Sequence, residues 1–118
     1  MSETMKILEL PLKKEWYIMI EAGEKPEEYR ELTQYWMKRL MWCHISSCIN
    51  YSCHDCLMMD ERSFKDFSHV RFRYGYTKRT MLYKIKSISV GFGNHEWGAP
   101  KDREVFIIKI GKRIKQND

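Results

Sequence analysis

Gly23, Lys25, Glu28 and Arg30 place a glycine, an ammonium, a carboxylate and a guanidinium on one short stretch of chain. In an enclosed cleft a lysine and a carboxylate suit acyl or phosphodiester chemistry, with Glu28 acting as base or orienting Lys25. The two cations suit phosphate binding equally well. The same three charges also suit an ion-pair network with no reaction attached, because structural networks collect these residue types.

A second chemical stretch runs Arg71-Phe72-Arg73-Tyr74-Gly75-Tyr76-Thr77-Lys78-Arg79. Arg71 and Arg73 fall on one face of a strand and can neutralise phosphates, while Tyr76, beyond the strand end, offers a ring for stacking an unpaired base, worth about 1–3 kcal/mol. The competing reading pairs Arg71 or Arg73 with Glu27, Glu28 or Glu31, since arginine forms such pairs readily. Cys43, Cys48, Cys53 and Cys56, interspersed with His44 and His54, include a Cys-x-x-Cys spacing. The gap between the two cysteine pairs is much shorter than the roughly 12–20 residues of common zinc modules, so packed or surface thiols are favoured and zinc is the minor alternative. His95, Glu96 and Trp97 sit in a glycine-rich loop, which favours a turn with Trp97 packed over a cleft-lining role.

These groups need elements to position them. Residues 5–10 read as a strand. Pro11 is expected to open an amphipathic helix over residues 11–22, because Leu12, Trp16, Met19 and Ile20 recur at helical spacing, and Gly23 to close it in a left-handed conformation. Pro26 blocks continuation, and an extended chain beyond it sends Glu28 and Arg30 to one face and Glu27, Tyr29 and Glu31 to the other. Thr33 caps a second helix with Trp36 and Leu40 on one stripe and Met37 and Met41 beside it. Residues 43–67 lack a period and read as an irregular insertion with one helical turn.

From Ser68 the pattern turns to strands. Val70, Phe72 and Tyr74 alternate with His69, Arg71 and Arg73 up to Gly75. A strand over residues 81–90 changes phase at Ser87, the signature of a bulge. After a loop rich in glycine, residues 105–110 are apolar on both faces, as in a central strand, and the polar tail past Gly111 is expected to fray. The fold class is therefore α+β: a small curved sheet or open barrel with two N-terminal helices packed against it.

At 118 residues the chain is expected to form one domain, residues 1–118, with a modest core. Hydrophobic residues make up 43% and aromatic residues 14%, as in a folded globule, and a mean hydropathy of −0.60 without a long apolar run excludes a membrane-spanning helix. No basic segment followed by an apolar core and cleavage site opens the chain, so the cytoplasm is the expected compartment and the cysteines are expected as thiols. Charge is lopsided: residues 1–59 hold 7 Lys/Arg against 9 Asp/Glu, a net −2, whereas residues 60–118 hold 14 against 7, a net +7. With a pI near 9.0, that asymmetry fits a phosphate-bearing partner, although lysines also serve solubility.

The spacing Gly-x-Lys-x-x-Glu-x-Arg at residues 23–30 resembles the signature of ASCH domains, small relatives of the PUA RNA-binding fold. The segment Arg71-Phe72-Arg73-Tyr74-Gly75-Tyr76, the turn Trp97-Gly98-Ala99-Pro100 and the strand Val105-Phe106-Ile107-Ile108-Lys109-Ile110 look like a bacterial and phage branch of that family. The resemblance covers about two thirds of the chain, and its motifs are moderately specific in combination. It implies a PUA-like barrel with a cleft between barrel and helices. Some members resemble amidohydrolases on modified cytidine that use a lysine and a threonine of this motif; Lys25 matches the lysine, but Glu28 stands at the threonine position, so that mechanism does not carry over.

The expected function is thus an RNA- or nucleotide-binding domain. Lys25 and Arg30 form the clamp, Glu28 orients them, and Arg71, Arg73 and Tyr76 extend the surface. A different class, a metal-independent ribonuclease or an amidohydrolase on a modified nucleoside, makes Lys25 and Glu28 catalytic. A third is a small protein-interaction module. No cofactor is expected, the zinc alternative at Cys43, Cys48, Cys53 and Cys56 aside.

Overall fold

The computed structural model describes residues 5–41 and 64–115. Along the chain they form β1 (Ile7–Leu12), α1 (Lys14–Glu21), β2 (Glu27–Arg30), α2 (Gln34–Leu40), β3 (His69–Tyr74), β4 (Thr80–Gly91), a 3-10 turn (His95–Trp97) and β5 (Val105–Ile114). The architecture is α+β, with two helices and a mixed five-stranded sheet of order β1-β3-β4-β5-β2. The cysteine-bearing segment expected as an insertion, with Cys43, Cys48, Cys53 and Cys56, lies outside the described residues apart from its C-terminal end.

The described chain divides into two compact units, one from residues 5–28, 66–87 and 108–115 and the other from residues 29–41, 64–65 and 88–107. β2, β4 and β5 each contribute to both. In β4 the changeover falls between Ser87 and Ile88, where the hydrophobic pattern of the sequence changes phase.

The first unit is built on β1, β3 and the first half of β4. β1 runs parallel to β3, with Leu8 opposite Val70 and Leu10 opposite Phe72; β4 runs antiparallel to β3, setting Tyr83 opposite Val70 and Met81 opposite Phe72. Two apolar rows result, all of them buried, and burial of each such side chain contributes roughly 1.5–3 kcal/mol. Pro11 belongs to β1 rather than opening the helix: β1 is an edge strand, where the missing N–H of proline is tolerated. The helix therefore begins at Lys14, and the expected face shifts onto Tyr17 and Ile20, both buried, with Trp16 and Met19 half-buried. Its end is as expected. Gly23 adopts φ +80°, and a Schellman pair closes the helix, the Glu24 N–H donating to Met19 O at 2.9 Å and the Gly23 N–H to Ile20 O at 3.0 Å.

The tail past Gly111 does not fray up to Ile114. Residues 111–114 continue β5, and a Cβ at Gly111 would stand 3.1 Å from Lys84 O, so the sheet backbone orders a segment that carries the charged Lys112 and Arg113.

In the second unit, Thr33 Oγ1 accepts a hydrogen bond from the Trp36 N–H at 3.4 Å and caps α2, whose Met37 and Leu40 are buried, as is Met41 just beyond. Met41 bridges Phe64, and the Lys65 N–H donates to Leu40 O at 2.8 Å, so the two borders of the cysteine-bearing segment are tied together. Tyr29, Ala99, Val105 and Ile107 form a core with Trp97 against it. The Asn94 N–H donates to Tyr29 Oη at 2.9 Å, and Gly93 passes so close that a Cβ there would lie 2.5 Å from Tyr29 Cε1. Among the described residues no helix is long and apolar enough to cross a membrane.

Candidate functional site

The Schellman turn and Pro26 together set the entry of β2, and the Ile110 N–H donates to Pro26 O at 2.9 Å, fixing that entry beside β5. Here Lys25 and Glu28 meet. Lys25 Nζ lies 3.2 Å from Glu28 Oε1, with Lys25 1% and Glu28 5% exposed. The ammonium also stands 5.1 Å from the centroid of the Trp16 ring of α1, a cation–π distance. Removing two opposite charges from water costs several kcal/mol per ion, and their mutual attraction and further hydrogen bonds offset it. The lysine is thus covered and engaged rather than presented to solvent.

Arg30 belongs to the second unit. Its Nη1 donates to Tyr29 O at 2.6 Å, and its guanidinium lies 5.2 Å from the Trp36 ring, which Arg39 also approaches at 5.7 Å. Tyr29, between Glu28 and Arg30 in sequence, is a core anchor of that unit.

The β3 arginines are engaged near the sheet. Arg71 pairs with Glu9, its Cα partner on the parallel strand β1, and not with Glu27, Glu28 or Glu31; Glu31 instead holds Arg103 at 3.1 Å. Arg73 Nη1 donates to Thr77 O at 2.9 Å, bracing the β3–β4 turn. The same turn is closed by the Thr77 hydroxyl donating to Tyr74 O at 2.6 Å and by the Tyr74 N–H donating to Arg79 O at 2.9 Å, with Gly75 at φ +59°. Arg79 binds both carboxylate oxygens of Glu21 at 2.9 Å and lies over the rings of Tyr17 and Tyr74, 5.3 and 5.1 Å from their centroids. Glu21 holds its guanidinium pKa above the usual value. Burial raises the phenol pKa of Tyr17, which packs edge-on against Tyr74 at 5.2 Å; it does the same for Tyr83, whose hydroxyl donates to Ile20 O at 3.4 Å.

This bracing leaves Tyr76 98% exposed at the tip of a hydrogen-bonded turn. Beside it opens a groove of about 470 Å³ lined by Pro11, Leu12 and Gly75 together with Lys13, Lys14, Glu15 and Tyr76. It lies where the C-terminal ends of the parallel strands β1 and β3 meet the start of α1, and the Gly75 N–H donating to Leu12 O at 2.9 Å ties the two sides. Two ammonium groups, an aromatic ring and a carboxylate thus converge on one opening within a single unit. Lys13, Lys14 and Glu15 carry no signal of the groove in sequence, because a run of two lysines and a glutamate at a helix start reads as an ordinary solvated face. Only the parallel pairing of β1 with β3 brings them to Tyr76.

His95 Nδ1 lies 3.1 Å from Ala99 O, inside a turn capped by Asn94 and ended by Gly98 at φ +101°, and Trp97 packs on the core of the second unit. Among the described residues no three His, Cys, Asp or Glu side chains are gathered as metal ligands. Comparison of the chain with protein-family models, curated proteins and solved structures returns no match.

Proposed function

We propose that this chain is an RNA- or nucleotide-binding domain of the ASCH type, PUA-like in fold and cytoplasmic, and that its ligand meets the groove beside Tyr76. The observation that carries the reading is the exposure of Tyr76 on a braced turn next to Lys13 and Lys14. An exposed ring carried on a hydrogen-bonded turn offers every base a π-face, and ammonium groups nearby neutralise the adjoining phosphates. The groove volume lies within the range of small-ligand sites. The net charge of the second half and the motif at residues 23–30 support the same reading. In this account Lys25 and Glu28 brace the entry of β2 against α1, and the ligand contacts come from Lys13, Lys14 and Tyr76, with Lys78 adding to the positive field.

The test is a titration of single-stranded RNA at two salt concentrations. Binding should weaken as salt rises, with a slope of log K against log salt of about −0.7 for each phosphate neutralised. Absence of binding at low ionic strength would remove the reading.

A further inference from the structure

One group in the groove has no use in phosphate recognition. Glu15 lines the same opening as Lys13, Lys14 and Tyr76, and a carboxylate beside a phosphate site lowers phosphate affinity by repulsion. Among the described residues Glu15 has neither an ion pair nor a side-chain hydrogen bond, as is also true of the exposed Glu24, Glu96 and Glu104, but of these four it is Glu15 that lines the groove. A solvent-facing acceptor left open in a cationic, aromatic groove matches a ligand that brings its own N–H donors.

The four bases differ in what they bring. Guanine presents two adjacent donors on its pairing edge, the ring N1–H and the exocyclic amine, which fit the two oxygens of one carboxylate. Adenine and cytosine each set one amine beside a bare ring nitrogen that repels a carboxylate, and uracil sets its single N–H between two carbonyls. We infer that the groove selects guanine: the base stacks on Tyr76, Glu15 accepts hydrogen bonds from its N1–H and amine, and the adjoining phosphate sits at Lys13 and Lys14. This selection rests on the nucleic-acid reading above and gives it a base.

Four single-stranded RNA hexamers, uridine throughout except for one varied central nucleotide, provide the test with the full chain at low salt. The central-guanosine hexamer should bind about 5- to 100-fold more tightly than the all-uridine hexamer, the discrimination expected of a good bidentate pair. Glu15→Ala removes both acceptor oxygens, so the central-guanosine hexamer should fall to the affinity of the all-uridine hexamer measured with the same variant. Equal binding of all four hexamers by the parent chain, or a guanosine preference that survives Glu15→Ala, would overturn guanine selection and leave nucleic-acid binding standing. Binding of none of them would overturn both.

Discussion

Two charged regions of the same unit use similar side chains in opposite ways. At residues 25–28 the lysine is turned inward, paired with Glu28 and covered by Trp16, whereas at residues 13–15 and 76 two exposed lysines, the Lys14 ammonium 5.3 Å from the Tyr74 ring, and a carboxylate line a groove beside an exposed tyrosine. Burial decides the difference. An ammonium removed from water must be matched inside the protein, so its charge is committed to the fold; one left at a groove edge remains available to a phosphate. The lysine and glutamate of the motif that looks most chemical in the sequence are therefore engaged with each other inside the fold.

The largest effect that would break this comparison belongs to the buried pair. Glu28→Ala removes the carboxylate paired with the buried Lys25 ammonium, and a destabilisation of about 3–5 kcal/mol is expected in chemical denaturation. Lys25→Met combined with Glu28→Leu should recover most of that loss, because it removes both charges and keeps the volume. A Glu28→Ala protein as stable as the parent would show that the pair contributes nothing to the fold.

Next in size is the exposed side. Tyr76→Ala should weaken single-stranded RNA binding by about 1–3 kcal/mol while leaving the denaturation midpoint within error, since a base loses its stacking partner and the core loses nothing. Replacing Lys13 and Lys14 by alanine should reduce the salt slope by about 1.4, two phosphate contacts at roughly 0.7 each, again without a stability change beyond about 0.5 kcal/mol.

The smallest effect concerns two buried tyrosines of the same unit. Tyr17 and Tyr83 have folded-state phenol pKa values raised by burial, so the folded protein holds those protons where the unfolded chain releases them. Their contribution to stability is complete below the unfolded value near 10 and is lost as pH rises through the folded values. Stability followed across the alkaline range should fall above about pH 10, and Tyr17→Phe should flatten part of that fall.

Sequence pattern carried the local features of this fold well and the long-range ones poorly. Gly23 at the end of α1, Thr33 as the cap of α2, the alternation of β3 up to Gly75 and the apolar run of β5 all depend on neighbours in sequence, and all are found where the pattern placed them. Pro11 was misread because its helix-opening preference is local, whereas its place in β1 depends on pairing with β3 more than 60 residues away. The order of residues 111–114 is hidden for the same reason, since the charged Lys112 and Arg113 say nothing of the backbone beside β4. In the site, Tyr76 was legible as a strand-end tyrosine. The burial of Lys25 with Glu28, the pairing of Arg71 with Glu9 and the placement of Lys13, Lys14 and Glu15 beside Tyr76 are tertiary facts with no periodic signature.

The most direct measurement is residue-resolved: backbone amide chemical shifts followed by NMR as single-stranded RNA is added to the full chain at low salt. The account predicts that the perturbed amides cluster at residues 12–15 and 75–78, with Glu24, Lys25, Glu27 and Glu28 left at their free positions. Perturbations concentrated at residues 24–28, with Lys13, Lys14 and Tyr76 unmoved, would contradict it and return the ligand to the lysine motif.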